Sequence, residues 1–438
     1  MSRRIAPTGS RVAPAACTTL AVLAALSALT ALALSGCARS DAGGWSARAA
    51  QHYLDRRAAA WIAWPSAARA QGTVCISCHT ALPYLLASDA RESRQAGSAT
   101  PAPQARLLSS ILERVRLGMR LPPYYPHQAT ASRATETVLN ALILTDHDAP
   151  TGLLSADTQT ALAQMWSVQL ASGNDAGSWP WIEFNNEPWE AHDSAYFGAV
   201  LAALAAERTP AGYRQRPDIQ AALARLQSYL ASAYAGEPLL NRIDLLWAAG
   251  RWPELLAPAR RAALLTEIWA QQRADGGWNL ASLMPAWRRH DGTAQPSGSD
   301  GYATGLVTLA LQLSGVPQSD PRLRRGLAWL RTHQSRWTGG WSAASMNHRF
   351  RRNPFYDREP RHFMDDAATA YAVLALTQAQ SQAGAPLDPP LSVPAAGGGG
   401  SPGSSGSAGI GASAGAGGSA HDIILPLGAQ HRLRRAAG

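Results

Sequence analysis

The sequence predicts an all-α protein built from six helical hairpins. Three observations lead there. The same order of signals recurs along the chain: an aromatic, a glutamine, a Gly-x-Trp or Gly-Gly-Trp turn, a loop, then an aspartate opening an apolar segment. Within each unit the first segment is amphipathic, whereas the second is apolar nearly all round, as in Tyr302 to Leu313, and a helix without a polar face is buried on every side. No run of useful length alternates with period two, so sheet is absent or marginal. Six half-wet helices outside and six buried ones inside close most simply into a ring around a central cavity. An open solenoid is the alternative.

The front of the chain is a leader. Arg3, Arg4 and Arg11 precede an apolar run from about Leu20 to Leu34, and small residues follow, which describes an export signal over residues 1–36. Leu34-Ser35-Gly36-Cys37 resembles the lipobox of bacterial lipoproteins, so Cys37 is the expected lipidation site and 37–45 a tether. A transmembrane anchor is the alternative, although the apolar run is short for one. Both readings tether an exported body to a membrane. The absence of aspartate after Cys37 favours the outer membrane.

Residues 46–388 hold the hairpins. Tyr53 to Trp64 and Cys78 to Leu86 form the first, 104–119 with Ser132 to Leu144 the second, and 217–232 with Leu239 to Ala249 the fourth. The third, fifth and sixth carry the clear repeats: Trp166, Gln169, Trp179 and Asp193; Trp269, Gln272, Trp278 and Asp300; Trp329, Gln334, Trp341 and Asp365-Asp366. Residues 389–438 are a low-complexity linker and tail. From 395 to 419 the chain is almost all Gly, Ser, Ala and Pro, which buries no core and predicts disorder.

Thr73-Val74-Cys75-Ile76-Ser77-Cys78-His79-Thr80 carries a CxxCH pentapeptide. Two cysteines at this spacing reach the two vinyl groups of one haem, and the adjacent histidine ligates the iron. A redox disulfide would want a βαβ context, and a zinc site would want more cysteines. The chain has four: Cys17 falls in the leader, Cys37 takes lipid, and Cys75 and Cys78 take the haem. One covalent haem c is therefore the expected cofactor. The formal charge of +9 is all arginine, scattered along an exported chain, and no nucleic-acid partner is expected.

Arg325-Gly326, Trp329, Gln334 and Gly339-Gly340-Trp341 resemble the QW repeats of squalene-hopene and oxidosqualene cyclases. That resemblance, shared with prenyltransferase β subunits, implies an (α/α)6 toroid whose glutamines and tryptophans tie successive hairpins together. The arrangement also looks like bacterial cytochrome c proteins with a cyclase-like toroid. Phe363-Met364-Asp365-Asp366-Ala367-Ala368 resembles the DxDDTA acid motif of hopene cyclases, which implies Asp366 and Asp365 as candidate acids. Phe363 stands where the first aspartate belongs, and only one toroid is present. The competing role for Asp193, Asp300 and Asp365 is capping the helix that each precedes, worth about 1 kcal/mol.

In repeat register His79 aligns with these aspartates, so haem and acids are expected at the mouth of one cavity. Met364 is the candidate sixth iron ligand; Met346, Met284 and His192 are further candidates, and an open iron is the other outcome. Trp181 and Trp189, with Asp193 and Asp300, are expected to line a pocket for an apolar molecule, isoprenoid by resemblance. Glu183, Glu187 and Glu190 share the loop with those tryptophans, and nothing in their spacing selects a glycosidase pair. The expected function is a periplasmic, membrane-anchored haem c protein. It either performs redox or acid chemistry on that molecule, or serves as an electron-transfer or lipid-binding module. Its partners would be a redox protein or a quinone.

Overall fold

A computed structural model of the chain describes residues 44–92, 100–348 and 359–384. The expected leader, the lipid site Cys37 and the tail 389–438 lie outside the described residues. Internal packing divides the chain into Met1–Ala385 and Pro386–Gly438, and every described residue belongs to the first unit.

The described residues are mostly α-helical and contain no strand, only two isolated bridges, Ala68 with Val74 and Asn186 with Glu190. Among the described residues, twelve helices of eleven residues or more run in chain order: α1 (Ala47–Ala63), α2 (Ala81–Glu92), α3 (Ala102–Leu117), α4 (Ala129–Asp148), α5 (Ala156–Ser167), α6 (Ala195–Glu207), α7 (Pro217–Ala233), α8 (Leu239–Ala249), α9 (Pro258–Ala270), α10 (Gly301–Leu313), α11 (Pro321–Thr332) and α12 (Phe363–Gly384). Local chemistry sets many of the starts. Ser46, Ser155, Asp300 and Asp320 accept amides of the first turns of α1, α5, α10 and α11, and Pro217, Pro258 and Pro321 occupy the first position of α7, α9 and α11.

The two sets of helices differ as the pattern predicts. In α6 every residue from Tyr196 to Glu207 is buried, and in α10 every residue from Gly301 to Gln312. In α11 only Leu323, Gly326, Leu327, Trp329 and Leu330 are buried, one stripe of an otherwise wet helix. Among the buried set, α2 packs on α4, α4 on α6, α6 on α8, α8 on α10, α10 on α12, and α12 on α2.

The repeat residues make the same contacts three times. Trp179, Trp278 and Trp341 each donate from Nε1 to a carbonyl near the end of the preceding helix, those of Met165, Ile268 and Leu330. Gln169, Gln272 and Gln334 each donate to the carbonyl of their own glycine turn and to the next amphipathic helix, at Ala222, Arg322 and Ser46. The last of these joins the sixth unit to the cap of α1, where Ser46 N–H also donates to Gln334 Oε1 at 2.7 Å. Gly339 has φ 84°, and a Cβ there would lie 2.3 Å from the Ala49 carbonyl. Only glycine lets the turn approach α1 so closely.

Candidate functional site

The stretch from Val74 to Thr80 is irregular backbone pinned on several sides. Val74 N–H donates to Ser110 Oγ and Cys75 N–H to the Ala67 carbonyl, both at 2.8 Å, and Trp61 Nε1 donates to the Cys75 carbonyl. Arg114 bonds Thr73 while forming a buried ion pair with Glu136 of α4 at 2.6 Å. Ser77 Oγ accepts the amides of Thr80 and Ala81, which sets His79 in the turn that opens α2.

His79 lines a cavity of about 490 Å³ together with Trp61, Tyr125, Trp189, Glu190, Phe363 and Met364. That volume falls in the range of small-molecule and cofactor sites. Cys75 and Cys78 are free thiols rather than a disulfide. Each reaches a residue of the cavity wall, Cys75 Sγ lying 3.7 Å from the Tyr125 hydroxyl and Cys78 bonding Glu190. Burial pushes the Cys75 thiol up to about 11 and Cys78 well above its ordinary value, so both are neutral thiols. Burial and then Arg57 lower His79 to about 3, which keeps the imidazole in its neutral, metal-ligating form.

The imidazole is packed among three aromatic rings and bonded at one nitrogen. Phe363 stacks on it at 3.5 Å and 19°, Trp61 meets it edge-on at 5.2 Å, and Trp189 lies at 5.6 Å. His79 Nδ1 is 2.9 Å from Thr80 Oγ1, and the Thr80 hydroxyl donates to Asp366 Oδ2 at 2.8 Å. With that proton committed to Asp366, Thr80 accepts from Nδ1–H, and Nε2 is the nitrogen left for a metal. Asp366 also receives Arg57 Nε at 2.8 Å and Tyr53 OH at 3.1 Å, and Arg57 continues to Glu359 at 2.7 Å. Burial raises the Asp366 carboxyl above its ordinary value, and Arg57 and these hydrogen bonds oppose the rise. Cys75, Cys78 and His79 are thus the residues that fit a c-type haem.

The sequence-predicted residues do not all converge. Met364 and Trp189 line the His79 cavity, and Asp366 reaches His79 through Thr80. Asp300 caps α10 by accepting Ala303 N–H, accepts Leu280 N–H with its other oxygen, and lines a separate cavity of about 330 Å³. Met346 lines that smaller cavity too, Met284 is buried away from both, and His192 is exposed against Trp287. Asp365 accepts Ala343 N–H and Asp193 bonds Glu187, so neither caps its helix. Trp181 is packed on Gly198 and donates to the Trp189 carbonyl, outside the His79 cavity. The expectation of haem and all aspartates at one mouth is therefore corrected: backbone amides occupy Asp300 and Asp365, and only Asp366 joins His79.

Thr80, Arg57 and Tyr53 join this network at positions that the sequence did not single out, and Phe363 was noted only for its place in the acid motif. The one available signal was Phe363, the residue that breaks the acid motif. From Trp189 the aromatic packing continues inward: Tyr302 at 5.7 Å, Tyr371 a further 5.2 Å, then Trp247 at 6.1 Å. Among the described residues no cluster of three His, Cys, Asp or Glu side chains is arranged to hold a bare metal ion, and no helix is long and apolar enough to cross a membrane. No protein-family model matches the chain, and no curated protein is significantly similar to it.

Proposed function

We propose that this chain is an exported, lipid-anchored haem c protein, folded as a closed (α/α)6 toroid, that receives an apolar, isoprenoid-like molecule beside the haem. The closed toroid is supported by the packing order of the buried helices, which returns from α12 to α2, and by the bond from Gln334 to Ser46. The haem assignment rests on Cys75, Cys78 and His79 beside a cavity large enough for a cofactor. The observation that carries the reading is Phe363 stacked on His79 at 3.5 Å. The side chain that departs from the cyclase acid motif serves the histidine instead, and Asp366 from the same motif supports Nδ1 through Thr80.

Bound there, a haem supplies one-electron redox chemistry. The protein's own part is positional: Thr80 and Asp366 hold the imidazole's orientation and proton, while Phe363, Trp61 and Trp189 exclude water from its faces. Asp366 is 2% exposed, carries three donor side chains and does not line the cavity, which argues against a role as the acid of a cyclase. Redox exchange with a quinone or a partner protein on the periplasmic side fits better. Met364, on the wall of the same cavity, would be a second side chain able to hold the haem iron, which supports the electron-transfer reading.

Production in a host that matures c-type cytochromes tests the reading. The expected product carries one covalent haem by intact mass, lost in the Cys75→Ser, Cys78→Ser double variant, together with an extractable apolar molecule. A haem-free product whose two thiols both alkylate overturns it, and a haem-loaded protein with no apolar molecule reduces it to the plain electron-transfer reading.

A further inference from the structure

Of the fifteen tryptophans, fourteen are buried or half-buried, and Trp337 is 96% exposed. A single exposed apolar side chain is ordinary, so its surroundings decide whether it means anything. Trp337 stands midway in a turn closed by two backbone bonds of 2.9 Å, Ser335 N–H to the Gly340 carbonyl and Gly339 N–H to the Ser335 carbonyl. The corresponding turn of the fifth unit reads Arg273-Ala274-Asp275-Gly276-Gly277-Trp278, and that of the third also contains an aspartate, Asp175. The sixth reads Arg336-Trp337-Thr338-Gly339-Gly340-Trp341: the acid is gone, and tryptophan stands in place of alanine.

This turn is also where the chain enters the fold. Trp45 is buried and meets Trp341 at 6.0 Å, Ser46 exchanges two hydrogen bonds with Gln334, and a Cβ on Gly44 would lie 3.8 Å from the Arg331 carbonyl. Gly44 is therefore held beside the end of α11. Seven steps of chain lead back from it to Cys37, a reach of at most about 25 Å. A lipid on Cys37 keeps this face within that distance of the bilayer. The surface around Trp337 is basic: Arg336 is exposed beside it, Arg56 is exposed and donates to the Thr338 carbonyl at 3.3 Å, and Arg48 is exposed in the first turn of α1. Nearby carboxylates are engaged, Asp55 with Gln51 and Tyr84, and Asp275 with Ser299 and Trp329.

We propose that this face docks on the surface of an anionic phospholipid bilayer, with the Trp337 ring among the headgroups and Arg48, Arg56 and Arg336 on lipid phosphates. The proposal rests on the lipid anchor proposed above. Tryptophan suits that boundary because its ring is apolar and its N–H polar. Guanidinium groups pair with phosphate through two parallel hydrogen bonds. A lipid chain and a basic, aromatic patch supply the two signals that stable anchoring takes, and the short tether makes the second contact intramolecular.

Photolabelling tests this with the matured full chain in vesicles of phosphatidylcholine and phosphatidylglycerol that carry a trace of a diazirine phospholipid. Among the described residues, the adducts are expected on the peptide that holds Arg336 and Trp337. Met119 and Leu153, exposed apolar side chains in other units, are expected to stay unlabelled. Arg336→Ala is expected to lower the ratio of docked to free protein about fivefold, and Trp337→Ser or vesicles of phosphatidylcholine alone to lower the yield as well. Adducts centred on Met119 or Leu153, equal yield without the anionic lipid, or a yield that ignores both substitutions would each overturn the docking face. Intact mass of the same sample reads the lipid on Cys37 separately. A chain without lipid whose Trp337 peptide still labels refutes the anchor alone, and a lipidated chain labelled elsewhere refutes the face alone.

Discussion

The two ends of the buried helices are built from opposite materials. At the N-terminal ends, around His79, the cavity wall is largely aromatic, its carboxylate Glu190 bonds Asn186 and Cys78, and Asp366 behind His79 is matched by Arg57, Tyr53 and Thr80. At the C-terminal ends a second cavity, of about 480 Å³, has a charged wall, and Asp89 and Glu207 keep buried oxygens that no residue satisfies. A buried charge with all its partners serves to fix geometry. One left short of partners costs stability instead. The aromatic column from Trp189 through Tyr302 and Tyr371 to Trp247 separates the two cavities and touches both.

The difference can be attacked at either end. The largest effect is expected from the platform under the CxxCH stretch. Glu136→Ala leaves Arg114 buried without its partner and should destabilise the fold by about 3–5 kcal/mol in denaturant titrations. Arg116–Asp157, an exposed pair in the same helix–helix region, should cost about 1 kcal/mol or less when broken. Equal costs would mean that Arg114 is far better solvated than its 1% side-chain exposure indicates.

A smaller, more specific effect is expected from Thr80→Val, which keeps the shape and removes the hydroxyl between His79 and Asp366. It should cost about 1–3 kcal/mol, since Asp366 loses a donor, and it should shift the reduction potential of the proposed haem. An unchanged potential would leave the Thr80 bridge with a structural role only. Gln334→Ala removes the tie from the sixth unit to α1 and should lower stability by about 1 kcal/mol, with faster hydrogen exchange in the first turn of α1. Unchanged exchange there would mean that this tie does not hold the start of α1.

The pH dependence of stability offers the gentlest test. Burial, then Asp193, raises Glu187 to about 8. A carboxyl raised in the folded state binds more protons there than in the unfolded chain. Its favourable contribution is therefore full at low pH and lost as pH rises from about 4.5 to about 8. Glu187→Gln should flatten that decline. Glu207→Gln should do the same over a narrower window that ends near 7. A steeper decline in either variant would contradict the assignment.

The helices and their alternation were legible in the sequence because burial on all sides leaves a plain record: α6 and α10 have no polar face. The glutamine and tryptophan ties were legible for the same reason, since each repeat carries the full set. The CxxCH stretch was legible as a motif, and the structure places its histidine on a cavity wall with both cysteines free. What the sequence hid was pairing across long separations. Asp366 and Thr80 are 286 residues apart, and nothing local links them. Capping was foreseen for Asp300 and observed there, yet Asp365 lies within the first turn of α12, because that helix starts two residues earlier, at Phe363. The far cavity was hidden because its carboxylates come from separate helices. Each one alone looks like an ordinary solvated helix end.

The central claim, that iron sits on His79 inside the aromatic cavity, is tested most directly by iron-edge anomalous diffraction from crystals of the matured protein. The account predicts a single peak within coordination distance of His79 Nε2, in the cavity shared by Trp189 and Met364, with both thiols in thioether linkage. A peak elsewhere, or crystals with no iron and Cys75 and Cys78 still free, would contradict it.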